Sequence, residues 1–121
     1  MSESIPHLIG LILFFAGLFI VIWARLCLGK NWGWPMTKRG GTELITVGPY
    51  TYIRHPIYFG ILLSIIGIGL INSPYWYIVL IVVAAFFIYS ATAEEEAMLK
   101  KFPKAYRDYI EKTKLLIPFI L

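Results

Sequence analysis

Three apolar runs, separated by polar and turn-forming segments, set the pattern of this chain. The first extends from Ile5 to about Leu28 and is interrupted only by Pro6, His7 and Arg25. A membrane-crossing helix takes about 20 apolar residues at a rise of ~1.5 Å each. The run therefore predicts a span over residues 5–28. A cleaved signal peptide is the competing reading, but the residues ahead of the run carry Glu3 and no Lys or Arg. Such peptides begin with a basic stretch and have a shorter apolar core.

The second run, residues 56–71, opens on Pro56, a residue suited to the first turn of a helix because its missing N–H costs nothing there. Its 16 residues are short for a lone span. Gly60, Ser64, Gly67 and Gly69 lie along it, small residues that let helices approach closely. Asn72-Ser73-Pro74 breaks the pattern. The third run, residues 75–93, has 19 residues and no charge, so runs two and three predict a helical hairpin with a very short turn.

The polar stretch 29–55 is rich in turn formers (Gly29, Asn31, Gly33, Pro35, Gly40, Gly41, Gly48, Pro49) and has no helical or strand periodicity. Trp32 and Trp34 beside Lys30 read as interfacial anchors. After the third run, the chain from 94 to 121 is charged and amphipathic, with an apolar end from Leu115. Tyr106, Tyr109 and Ile110 share one helix face, expected on the membrane surface or against the bundle. The expectation is an all-α, integral membrane helical bundle. It is one domain, 1–121, with spans at 5–28, 56–71 and 75–93 and an amphipathic C-terminal helix.

Composition agrees. Hydrophobic residues make up 59% of the 121 and charged ones 15%, against about 45–50% and 25% in a soluble domain. Placement of charge matters more than the net +4. Arg25, Lys30, Lys38, Arg39 and Arg54 lie between runs one and two, and Lys100, Lys101, Lys104, Arg107, Lys112 and Lys114 follow run three. These are all 11 Lys and Arg. The positive-inside rule then places the N-terminus outside, with the loop 29–55, the C-terminus and any active site cytoplasmic. Cys27 is the single cysteine, which excludes an intrachain disulfide and a Cys-rich metal site. No metal and no nucleic-acid partner is expected; membrane lipids are.

Two constellations could carry chemistry. From Val47 to Gly60, a Gly48-Pro49 turn, the hydroxyls of Tyr50, Tyr52 and Tyr58, the cation of Arg54 and the imidazole of His55 converge on the start of a helix. That helix's free N–H groups would favour an anion. The residues alone leave interfacial anchoring and ligand binding equally open. The second constellation is Glu94-Glu95-Glu96 at the end of an uncharged span. At ~100° per residue the three cannot all face solvent, and a carboxylate turned into a membrane bundle is a functional candidate. Glu94 and Glu95 are the candidates, and Glu96 is expected to pair with Lys100 or Lys101.

The element Gly48-Pro49-Tyr50-x-Tyr52-x-Arg54-His55-Pro56-x-Tyr58-x-Gly60, followed about 34 residues on by Glu94-Glu95, resembles the isoprenylcysteine carboxyl methyltransferases and the related membrane phospholipid N-methyltransferases. The tail, with Met98, Phe102, Tyr106, Tyr109 and Pro118, is similar too. The resemblance covers residues 41–119. It implies an S-adenosylmethionine-dependent methyltransferase acting on a lipophilic or lipid-modified substrate. On this reading Gly48, Pro49, Tyr50, His55, Pro56, Tyr58 and Gly60 line the cofactor, and Glu94 and Glu95 hold its amino or ribose groups. Arg54 and Glu95 are the catalytic candidates, Arg54 by orienting an acidic acceptor.

Two positions depart from the family pattern. Pro103 follows Phe102 where glycine is usual, and Ser90 stands where a basic residue is common. The second removes a cation that would recognise a substrate carboxylate. Methyl transfer from a sulfonium is an in-line displacement that requires alignment of two reactants and no metal. A carboxylate acceptor would need no base, whereas an amine could use a glutamate or His55. With so short a chain, a second subunit is a candidate for completing the substrate tunnel. Two alternatives are a sterol-type membrane reductase using NADPH and a non-catalytic membrane protein acting by helix packing.

Overall fold

The computed structural model describes residues 4–28 and 46–118. The described residues form four α-helices: α1 (Ser4–Leu28), α2 (Pro56–Ile71), α3 (Trp76–Lys101) and α4 (Pro103–Lys112). A single 3-10 turn, Gly48–Thr51, precedes α2. The expected anchors Lys30, Trp32 and Trp34 lie outside the described residues.

α1 and α3 are long and apolar enough to cross a membrane, and only 11% of each apolar stretch is buried within the protein. A soluble protein would hide such helices in its core. Here Phe15, Phe19, Ile81 and Val82 stand more than half exposed, as they would against lipid. Three full spans is therefore a loose count: α2 is apolar but has only 16 residues, roughly 24 Å of helix.

α2 is central, packed along α1 on one side and against α3 on the other. The α1 contact is backbone on backbone. A β-carbon added at Gly10 would lie 2.7 Å from the Gly67 carbonyl, and one at Gly60 would lie 2.7 Å from the Gly17 carbonyl. The pairs Gly10/Gly67 and Gly17/Gly60 mark an antiparallel crossing at two levels. Between them, Ser64 Oγ donates to the Phe14 carbonyl at 2.9 Å. In a bilayer, association rests on such close approach and such interhelical hydrogen bonds, because lipid is as apolar as leucine.

The hairpin turn is held locally. Asn72 Oδ1 accepts from Trp76 Nε1 at 3.1 Å, and Ser73 Oγ accepts from the Tyr75 amide at 3.2 Å. At the other end of α3, helical backbone continues past the apolar run, so the three glutamates are helical, and Lys100 and Lys101 complement the helix dipole in the last turn. Pro103 then disfavours helical geometry at Phe102 (φ −129°, ψ 70°) and starts α4. Tyr106 and Tyr109 of α4 are buried with Met98, so the tyrosine face turns to the bundle.

The glycine contacts give the first test. Gly60→Ala drives a methyl into backbone, an overpacking that typically costs about 1–3 kcal/mol. Gly69→Ala meets the ring of Tyr77 at 2.7 Å, a side chain that can turn away. Thermal unfolding in detergent should show a clearly larger loss of Tm for Gly60→Ala. Equal losses would mean that α1 and α2 are not in backbone contact.

Candidate functional site

Residues 47–55 lead the chain into α2 through a turn fixed by sequence. Gly48 has φ +61°, a left-handed conformation that L side chains rarely adopt. A β-carbon there would also sit 2.5 Å from Cys27 Sγ. Pro49 then opens the 3-10 turn, its carbonyl accepting from the Tyr52 and Ile53 amides at 3.1 and 3.2 Å. The turn buries Tyr50 against Ala24 and Leu28 of α1.

The next residues pair with the chain's C-terminal segment. The Arg54 amide donates to the Lys114 carbonyl (2.8 Å), the His55 amide to Leu115 (3.1 Å) and the Lys114 amide to Tyr52 (3.0 Å). Residues 113–118 thus form a strap across the mouth of α2. Leu116 pins it, fully buried with Tyr58, Leu62, Phe87 and Ala91.

Under the strap lies a buried polar cluster. Arg54 Nε donates to Glu95 Oε2 across α2's entrance and α3. Its NH1 donates to the Ile110 carbonyl (3.3 Å) and to Thr113 at both carbonyl (3.0 Å) and Oγ1 (3.1 Å). Glu95 Oε2 also accepts from Tyr106 OH at 2.8 Å and has His55 Nε2 at 3.5 Å. One helical position earlier, Glu94 Oε2 accepts from Tyr58 OH. Tyr58 is wholly buried, stacked between the rings of His55 (5.5 Å) and Phe87 (4.3 Å). Tyr109 OH donates to the Tyr50 carbonyl at 2.5 Å, tying α4 to the 3-10 turn.

Burial raises the pKa of Tyr106 above the usual phenol range, and the neighbouring Glu95 adds to the rise. Burial does the same for Tyr109 and for Tyr50. All three therefore remain protonated, and Tyr106 and Tyr109 act as donors.

Of the residues singled out by sequence, the structure brings Arg54, His55, Tyr58, Glu94 and Glu95 into one cluster. Tyr50 lies beside it, near enough for Glu94, Tyr109 and Cys27 to oppose its ionisation. Others stand elsewhere. Gly60 lacks a side chain because α1 passes there, and Gly48 faces Cys27 and Trp23. Pro49 and Pro56 are buried parts of the turn and of the α2 start. Arg54 is no free cation for an acidic acceptor: its guanidinium is engaged by Glu95, Ile110 and Thr113. Glu96 is exposed, and among the described residues no ion pair joins it to Lys100 or Lys101.

Tyr106, Tyr109, Thr113 and Leu116 were not recognised as parts of the site. The i, i+3 spacing of the tyrosines was the available signal; the strap has none.

Nδ1 of His55 and the hydroxyl of Tyr50 are buried and make no hydrogen bond among the described residues, and Nε2 of His55 has only its 3.5 Å approach to Glu95 Oε2. Both residues are less than 5% exposed. Leaving such a group unsatisfied costs about 1–3 kcal/mol, so these atoms mark where a ligand would be welcomed.

The family model for phospholipid methyltransferases matches residues 5–105. Among curated proteins, the nickel-cobalt-cadmium resistance protein NccN of Alcaligenes xylosoxydans xylosoxydans is 30% identical over 85 residues, 69% of this chain and 39% of that protein. The uncharacterized protein YpbQ of Bacillus subtilis (strain 168) is 36% identical over 53 residues, 44% of this chain and 32% of its own. The chain thus spans well under half the length of these relatives.

The tyrosine contacts are testable. Tyr106→Phe removes a hydrogen bond to a charged acceptor, worth about 1.5–3 kcal/mol. Tyr109→Phe removes one to a neutral carbonyl, worth about 0.5–1.5 kcal/mol. Denaturation of the full chain in detergent should rank Tyr106→Phe as the more harmful. The reverse order would remove Tyr106 from the Glu95 cluster.

Proposed function

The chain belongs to the phospholipid methyltransferase family, and we propose that it is a membrane methyltransferase that takes a methyl group from S-adenosylmethionine and gives it to the polar head of a lipophilic acceptor. The observation that carries this reading is the buried cluster of His55, Tyr58, Glu94 and Glu95, with His55 Nδ1 and the Tyr50 hydroxyl left without a hydrogen bond beside it.

The donor set fits the cofactor. Two carboxylates face one guanidinium, an imbalance that suits a cationic ligand. Glu94 and His55 would take its amino or ribose groups, and the Tyr50 hydroxyl would complete the polar lining. When bound, the cofactor supplies an electrophilic methyl on a sulfonium. The chain's own residues then have to align the reactants and exclude water. Tyr58, stacked between His55 and Phe87, fixes the Glu94 carboxylate, while Arg54 and Tyr106 fix Glu95.

Commitment of Arg54 to the protein also bears on the acceptor. Among the described residues an acidic head group meets no free cation in the cluster, whereas an amine meets Glu94, which can receive its proton. The reading therefore favours a lipophilic amine over a carboxylate. A lipophilic tail agrees with a chain whose helices expose apolar flanks and leave the acceptor to arrive from the bilayer. The one-sided basic residues favour an outside N-terminus and a cytoplasmic site. A reductase would need cations for the phosphates of NADPH, and Arg54 is occupied.

Binding of S-adenosylhomocysteine to the purified full chain tests the reading. Thermal stability should rise with this ligand and not with NADPH, since a ligand specific to the folded state stabilises it by mass action. His55→Gln should weaken binding about ten- to a hundredfold, the worth of hydrogen bonds to a charged group. Stabilisation by NADPH alone, or unchanged affinity in His55→Gln, would overturn it.

A further inference from the structure

Outside the polar cluster, two clefts meet on the surface formed by α1, the 3-10 turn and the strap. One, about 210 Å³, is walled by Ile20 and Trp23 of α1, Ile53, and Phe59 of α2. The other, about 220 Å³, is walled by Thr51, Glu111, Lys112 and Lys114. Tyr52 and Pro118 line both, so the two clefts adjoin as a surface groove, apolar on one side of these residues and charged on the other. Tyr52 is 62% exposed at the junction and Trp23 40% exposed in the apolar half. Amphipathic rings of this kind sit at headgroup level.

The groove is set apart from the cofactor cluster. Thr113, in the wall of the polar half, is held by Arg54 NH1, while Arg54 Nε holds Glu95 on the inner side. A ligand in the groove would therefore touch the outside of the wall whose inside touches Glu95. It would also bridge α1, residues 49–53 and the strap, whose Leu115 carbonyl accepts from the His55 amide.

We propose that this groove binds an anionic phospholipid of the surrounding leaflet, which braces the strap against α1 and does not itself react. One acyl chain lies in the apolar half along Ile20 and Phe59, and the phosphate lies at Lys112 and Lys114. The charge argument is direct. The two lysines outnumber Glu111, and the positive-inside rule favours the cytoplasmic side for them. Basic residues at the surface of an anionic leaflet are attracted to its headgroups. The proposal is independent of the methyl-transfer reading, since it concerns only how the strap is held.

The test uses the purified full chain in neutral detergent, titrated with phosphatidylglycerol, with phosphatidylcholine of the same acyl chains, and with inorganic phosphate. Thermal unfolding is the readout. Phosphatidylglycerol should raise Tm saturably, and phosphatidylcholine and phosphate should raise it far less. Lys112→Gln/Lys114→Gln, at exposed positions, should weaken the phosphatidylglycerol effect at least about tenfold. Ile20→Trp, which fills the apolar half, should weaken it as well. Both variants should match the wild type when no lipid is added. Equal stabilisation by the two lipids, an equal effect of free phosphate, or an undiminished lipid preference in the lysine variant would each overturn the proposal.

Discussion

The contact between the guanidinium of Arg54 and the carboxylate of Glu95 is the interaction on which the rest depends. Both side chains are largely removed from solvent, and neither charge could be buried there alone. Removing one partner of a buried pair typically costs about 3–5 kcal/mol, because the other is left uncompensated. Here the pair is further satisfied by Thr113, the Ile110 carbonyl and Tyr106. Four parts of the chain thereby become one object: the entrance to α2, the end of α3, α4 and the strap. Apolar packing reinforces these joins, through Leu116 among Tyr58, Leu62, Phe87 and Ala91 and through Met98 against Tyr106 and Tyr109.

The membrane part supplies the other constraint. Because α1 and α2 meet backbone to backbone at Gly10/Gly67 and Gly17/Gly60, the start of α2 is placed against α1 with little freedom. The Gly48 turn folds onto Cys27 and Trp23 at the same end. His55 and Tyr58 therefore enter the cluster from a rigid element, and Glu94 and Glu95 enter from the facing helix. A site made by two helix ends needs the hairpin turn at Asn72–Pro74 to fix their relative height. The short turn does so.

Much of this was legible in the sequence for physical reasons. Apolar runs set helix positions, and the start of α2 at Pro56 followed from proline chemistry. The three adjacent glutamates could not all face solvent, which pointed to Glu94 and Glu95. Gly60, read from the sequence both as a close-approach position for a helix and as part of a ligand lining, serves the first, since α1 fills its space. Two points were not legible. Arg54 looked like a free cation, because its partners Ile110 and Thr113 lie 56 and 59 residues away. The strap pairs with residues 52–55 through backbone atoms, which any residue carries.

Family membership gives a membrane methyltransferase in general, and the site geometry gives a buried polar cluster of His55, Tyr58, Glu94 and Glu95. What holds that cluster together is the Arg54–Glu95 join. A double-mutant cycle with Arg54→Gln, Glu95→Gln and both together, followed by unfolding of the full chain in detergent, tests that most directly. The single variants should each be strongly destabilised, and the double variant should lose less than their sum by about 0.5–3 kcal/mol, the range for residues in contact. Strict additivity would contradict the account, since it would mean that the two residues act independently.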